Sequence, residues 1–349
     1  MTLDDVRAID REGMADHLRG FPQQMREAAA IGQQARLRRA ATSIREIVLT
    51  GLGGSAISGD LLRGYLAGEL KVPFIVNRHY TLPAFVGPRT LVIVSSYSGN
   101  TEETVAAHRE ALRRGAKVVC ISSGGVTSQI ARRRNSALLT IPGGLPPRAA
   151  LGYSFTPLLI ALARMGFVRD RSREIEETIR LLEEAGERYA RPDPSVNPAL
   201  SVAQRLAGRI GLFYASCELL EGVATRWRGQ VEENGKALAF LHMLPEMNHN
   251  EIVGWQVARP PLAGLQVVFL RDRADHARVQ RRMDITRDLI RQQTENVLDV
   301  WTEGRSRLAR MFSLIHLGDW MSLYLAVLHG VDPTPVDAIA HLKSELGRT

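Results

Sequence analysis

Short, largely apolar runs alternate along the chain with longer segments of helical periodicity. In the first half the apolar runs are Ile44–Thr50, Phe74–Asn77, Thr90–Ser95, Lys117–Ser122 and Ala137–Ile141. Between them, Gly51–Leu66, Thr101–Arg114 and Thr127–Arg134 carry apolar residues at helical spacing. Strands that are apolar on both faces predict a parallel sheet covered by helices on both sides. "GGLPPRAALGYS" at 143–154 interrupts the pattern, and a long helical stretch over about 155–190 ends at "RPDPSVNP". The alternation then resumes, with strands at Arg209–Ser216, Leu265–Arg271 and Val297–Trp301. The helices between and after them are Gly222–Phe240, His276–Thr294 and Leu308–His329. The expectation is an α/β chain with two doubly wound parallel-sheet domains in tandem, at 1–155 and 156–330, and a helical tail over 331–349. The halves share a layout without sharing a repeated sequence.

Composition adds little that is unusual. Of 349 residues 45% are hydrophobic and 23% charged, as in ordinary globular proteins. Cys120 and Cys217 both lie in apolar, strand-like runs, which suits buried thiols in a reducing compartment. No apolar run reaches the ~18 residues that span a bilayer. The acid-bearing start, "MTLDDVRAIDREGM", is no signal peptide, so a cytoplasmic protein is expected. The net charge of +8 comes almost wholly from arginine, with only Lys71, Lys117, Lys236 and Lys343 as lysines. No zinc-finger spacing or aromatic–basic pattern accompanies the arginines, so neither nucleic acid nor membrane is expected as a partner.

Two strand-to-helix turns carry candidate chemistry. The first is "GLGGSAISGD", from Gly51. Gly51, Gly53 and Ala56 fit the dinucleotide fingerprint, but the second strand ends Asn77-Arg78, without the acid that holds a ribose. Any helix N-terminus offers free N–H groups and partial positive charge, so this turn suits a single phosphate or a sugar hydroxyl equally well. The second turn is "SSYSGNTEET", from Ser95. Asn100 as a helix cap with Glu103 as its capping-box partner explains two of its residues. It leaves Ser96, Ser98 and Thr101 unexplained. Hydroxyls beside open backbone N–H groups make a phosphate cradle that needs neither lysine nor metal. No P-loop signature occurs.

A strand, then "SSYSGNTEET", then a helix resembles the phosphosugar loop of SIS (sugar isomerase) domains. Together with "GLGGSAISGD", "PPRAAL", "EENGKA" and "LPEMNHNE", in order over nearly the whole chain, it resembles the bifunctional phosphoglucose/phosphomannose isomerase family. The resemblance implies two SIS-type, flavodoxin-like domains. It also implies an aldose–ketose isomerase linking glucose 6-phosphate and mannose 6-phosphate with fructose 6-phosphate through a cis-enediolate, without cofactor or metal. Ser55, Ser96, Ser98 and Thr101 would then hold phosphate, with Gly54 against the sugar. Glu233, the acid before Asn234, would move the proton between C1 and C2. His249 would open the ring, reaching the site from the neighbouring subunit of a homodimer. Arg148 would stabilise the enediolate, and Lys343 would assist at the ring oxygen. Thr334-Pro335 resembles a pair that makes room for either C2 epimer.

Each residue also has a plainer reading. Glu232 and Glu233 fit a solvated helix face, Arg148 a surface linker and Lys343 an ordinary surface charge. His249, between two asparagines, is no core histidine. A phosphosugar sensor without catalysis, an isomerase of another sugar phosphate, and a dinucleotide-dependent oxidoreductase are the alternative functions.

Overall fold

A computed structural model describes residues 1–256 and 260–347. Three helices come first: α1 (Leu3–Ile9), α2 (Met14–Arg19) and α3 (Phe21–Gln34). The first sheet unit follows as β1 (Glu46–Thr50), α4 (Gly53–Leu66), β2 (Phe74–Asn77), β3 (Thr90–Ser95), α5 (Glu102–Arg113), β4 (Lys117–Ser122), α6 (Gly125–Arg133) and β5 (Ala137–Thr140). Its strands are all parallel, in the order β2-β1-β3-β4-β5. That is the flavodoxin-like order, so connections leave β1 and β3 toward opposite faces and open a crevice at their carboxyl ends. Every residue of β3 is buried, which is why its run is apolar throughout.

Three helices, α7 (Leu151–Arg164), α8 (Ser172–Tyr189) and α9 (Pro198–Leu206), lead to the second unit. It consists of β6 (Ile210–Ser216), α10 (Glu221–Glu233), β7 (Ala239–Leu244), α11 (Glu251–Gly254), β8 (Leu265–Arg271), α12 (Ala277–Arg291), β9 (Val297–Trp301) and α13 (Arg307–His329). The order β7-β6-β8-β9 repeats the first sheet's arrangement with one strand fewer. The tail helix α14 (Asp337–Leu346) has no buried residue.

The main hydrophobic core runs through both units, from Ile47 and Ile93 through Phe155 to Trp227 and Trp320, and a smaller cluster lies on the other face of each sheet. Its axis is α13, which packs on α8, α9 and α10 and also on α1 and α2 from the chain's start. In length and composition α13 matches a membrane span, against the expectation that no such stretch exists, but 89% of its most apolar window is buried inside the protein. It reads as a core helix.

The structure corrects three further expectations. In place of the end of a helix running to Phe240 there is β7, all six of whose residues pair with β6, from Gly211 opposite Ala239 to Ser216 opposite Leu244. The helical stretch over 155–190 is two helices, because Gly166 turns left-handed (φ 88°) just after α7. Cys217 is exposed, since it lies one residue past the end of β6, while Cys120 is buried as expected.

Candidate active site at the domain boundary

The carboxyl ends of β1 and β3 face two helix N-termini, those of α4 and α5. Neither helix has a side-chain cap. Asn100 does not cap α5: its Oδ1 accepts from the Val126 N–H instead, at 3.0 Å, and so closes the start of α6. Thr101 takes the N-cap position of α5 with its hydroxyl directed elsewhere, accepting from Ser96 Oγ at 3.2 Å. The open amides of two helices therefore converge on one rim, where an anion is favoured.

The hydroxyls of this rim are arranged as donors. Ser55 Oγ accepts the Tyr97 N–H at 3.0 Å, and Ser98 Oγ accepts the Asn100 N–H at 3.3 Å. Together with Thr101, each has an acceptor position filled by the protein and its O–H proton left for a ligand. Ser96 is buried and braces the loop, accepting from the Gly99 N–H at 3.1 Å. Gly99 is required: it has φ 73°, and a Cβ there would stand 1.9 Å from the Gly124 carbonyl oxygen.

Gly54, in the first turn of α4, lies so close to the Pro147 backbone that a Cβ would meet its carbonyl oxygen at 2.8 Å. That contact brings Arg148 to the rim. Arg148 lies in a 3-10 turn, Pro147–Ala149, and only 4% of its side chain is exposed. Its Nε donates to Asn234 Oδ1 at 2.6 Å, and one Nη donates to the carbonyl oxygens of Pro333 and Thr334 at 2.7 and 2.8 Å. The other Nη is 3.4 Å from Glu233 Oε2. Burial pulls the guanidinium below its ordinary range, and Glu233 opposes that shift.

The adjacent glutamates separate in space. Glu232 pairs with Arg228 across one turn of α10 at 3.6 Å, while Glu233 faces Arg148. Partial burial pushes the Glu232 carboxyl above its usual range. Glu233, with 32% of its side chain exposed, is the acid within reach of both solvent and the buried cation.

Not every candidate joins this cluster. His249 closes the 3-10 turn Glu246–His249, is exposed, and its side chain makes no hydrogen bond or ion pair among the described residues. Topology separates it from Glu233. α10 starts past the carboxyl end of β6 and returns, so Glu233 lies beside the amino end of the sheet, whereas His249 follows the carboxyl end of β7. The six residues of β7 put about 20 Å between those levels. Lys343 is exposed on α14, and no side-chain hydrogen bond or ion pair links it to the cluster among the described residues.

Comparison with known proteins decides the family. Residues 42–163 match the SIS domain, and residues 195–346 match the bacterial phospho-glucose isomerase C-terminal SIS domain. The chain is 45% identical over 337 residues to a bifunctional phosphoglucose/phosphomannose isomerase from Caldicellulosiruptor bescii, covering 95% of this chain and 98% of the relative. The chain belongs to the bifunctional phosphoglucose/phosphomannose isomerase family. A relative of the same description from Aquifex aeolicus is 37% identical over 308 residues, covering 87% and 91%. A crystal structure of a hypothetical protein from Thermus thermophilus shares the fold, with a TM-score of 0.73 at 18% identity, over 96% of this chain and 90% of that one.

Within this bifunctional phosphoglucose/phosphomannose isomerase fold, several residues of the site carry no sequence motif. Arg226 donates to the Arg148 carbonyl oxygen at 2.8 Å and forms a two-pronged pair with buried Asp319 at 2.9 and 2.8 Å. Gln230 also donates to Asp319, and Asn234 donates to Ser322, so α10 and α13 hold the Arg148 turn between them. One signal was available: Asp319 is an acid in the middle of the most apolar helix of the chain, and buried charges are paired.

Among the described residues, the second sheet shows no matching hydroxyl cradle. The turn after β8 carries Asp272 and Asp275, both buried, where β3 leads into hydroxyls. Burial pushes the Asp275 carboxyl up to about 6; the Ser216 hydroxyl opposes this, and Asp272 and Glu218 add to it. Asp272 is ion-paired with Arg310 at 3.0 Å, so this rim carries paired carboxylates in place of open hydroxyls. A raised folded-state value means Asp275 stabilises the fold below about pH 4, and that stability is lost as pH rises through about 6. Asp275→Asn is therefore expected to match the wild type in thermal unfolding at pH 4 and to exceed it by about 2–3 kcal/mol at pH 7.5. Parallel melting curves across that range would contradict the assignment.

Proposed function

We infer that this protein is an aldose–ketose isomerase that interconverts glucose 6-phosphate and mannose 6-phosphate with fructose 6-phosphate. The observation that carries the reading is the bridge made by Arg148. Its backbone touches Gly54 at the anion rim, and its guanidinium faces Glu233 from the other half of the chain. A phosphate held by Ser55, Ser98, Thr101 and the amides of α4 and α5, with Ser96 bracing their loop, directs its sugar toward that pair. Glu233 takes the proton from one carbon and returns it to the next. The enediolate formed between those steps gains from the fixed positive charge of Arg148. The hydrogen bond from Arg148 to the Thr334 carbonyl supports a role for Thr334-Pro335 in accepting both C2 epimers.

Ring opening falls to His249, with Lys343 assisting, and the distance along β7 supports a homodimer in which His249 arrives from a second copy. Exposed apolar side chains on α14 and on the β7 edge, among them Ile339, Leu342 and Phe240, suit such a contact. A coupled assay on fructose 6-phosphate, with glucose 6-phosphate and mannose 6-phosphate measured separately, tests the reading. Both aldoses should form. A protein that binds the ketose and forms neither would be a phosphosugar-binding module instead. Co-expressing Glu233→Gln with His249→Ala tests the shared site. Each variant alone should be inactive, and the mixture should recover about a quarter of wild-type activity, because half the dimers carry one intact site. No recovery from a mixed dimer would place both groups on one chain.

A further inference from the structure

Lys236 is one of four lysines in the chain and sits three residues after Glu233. Its backbone has φ 52°, in the left-handed region that side chains other than glycine and asparagine rarely adopt. Backbone held this way beside a reacting group is a pointer to function. Its ammonium bonds the carbonyl oxygen of Glu233, closing the end of α10, and the carbonyl oxygen of Pro333 at 3.1 Å. The Pro333 carbonyl is also held by Arg148, at 2.7 Å. Two cations therefore share one acceptor in the segment that carries Thr334.

That segment has few other ties. It leaves α13 at Gly330, and α14 beyond it is exposed. Thr334 is 9% exposed, and its hydroxyl has no partner among the described residues. A buried hydroxyl without a partner is costly and is satisfied when a ligand hydroxyl reaches it. Its placement relative to Glu233 decides which sugar hydroxyl that is.

We propose that Lys236 is a positioning residue that clamps the Pro333–Thr334 backbone to the end of α10, and so sets the balance between the two C2 epimers. The proposal rests on the isomerase reading above. Arg148 fixes the segment from the buried side, and Lys236 fixes it from the side of Glu233. With only one anchor the segment can pivot about Arg148, and the space beside C2 changes while the base stays in place. Burial lowers the affinity of the lysine for its proton, and Arg148 adds to that, while Asp332 and Glu233 oppose it.

Lys236→Asn keeps a residue that tolerates the left-handed backbone and removes the reach to Pro333. Lys236→Arg keeps the charge and the reach. Steady-state kcat and KM should be measured for glucose 6-phosphate and mannose 6-phosphate in the full-length wild type and both variants. The asparagine variant is expected to change the mannose-to-glucose ratio of kcat/KM by about fivefold, the factor one hydrogen bond is worth. The arginine variant should restore the wild-type ratio. Equal losses on both substrates, or an unchanged ratio, would overturn the clamp and leave the isomerase reading standing. A wild type inactive on both sugars would overturn the two together.

Discussion

Glu233→Gln is expected to lower kcat about 10³-fold on both aldose phosphates while leaving KM within about twofold. The amide keeps the shape of the carboxylate and its contact with Arg148, 3.4 Å away, so the pocket should stay formed. It loses the ability to accept a carbon-bound proton. The phosphate grip lies on other elements, in the turns after β1 and β3, and is untouched by the change. Solvent exchange of the C2 proton, followed by NMR, gives an independent reading: it should stop in this variant. Normal turnover, or continued exchange, would move the base to another residue. Glu232 is the nearest acid in sequence, yet it faces Arg228.

Arg148→Met should combine a catalytic loss with a structural one. The guanidinium occupies Asn234 Oδ1 and two backbone carbonyls, and all of these contacts are buried. Replacing it leaves those acceptors without donors and Glu233 without its cation. An uncompensated loss of this kind costs about 3–5 kcal/mol of stability. Removing a fixed charge from beside a developing oxyanion costs about 10²–10³ in kcat. Arg148→Lys should recover part of the stability and little of the rate, because an ammonium cannot reproduce the planar fork that spans three acceptors. Denaturant unfolding and steady-state kinetics on the same preparations separate the two effects. A methionine variant that keeps wild-type kcat would remove Arg148 from the chemistry.

Much of the fold is legible in the pattern of apolar runs. β3, β4 and β8 fall where their runs predict them, because an inner strand covered on both faces is mostly apolar, and the edge strands β2 and β9 fall in place because their runs are still largely apolar. β7 escaped because its run, Ala239–Leu244, follows α10 closely and includes His242, so it reads as a continuation of the helix. The capping role assigned to Asn100 failed for a related reason. A short polar side chain satisfies whichever helix start lies nearest in space, and for Asn100 that is α6, not its own α5.

The order of the turns and the identities of their hydroxyls were local properties, set by which residues can follow a strand and open a helix. They sufficed to expect an anion site after β1 and β3. Only packing decided which of two adjacent glutamates faces the buried Arg148 and which faces Arg228 on its own helix, since one residue along a helix turns the side chain through about 100°. Packing also revealed that a linker arginine is a buried hub, its carbonyl held by Arg226, which is itself paired with Asp319 from a helix far along the chain. And it set His249 and Glu233 at opposite ends of one sheet, a separation fixed by strand direction and hidden in the fifteen residues between them.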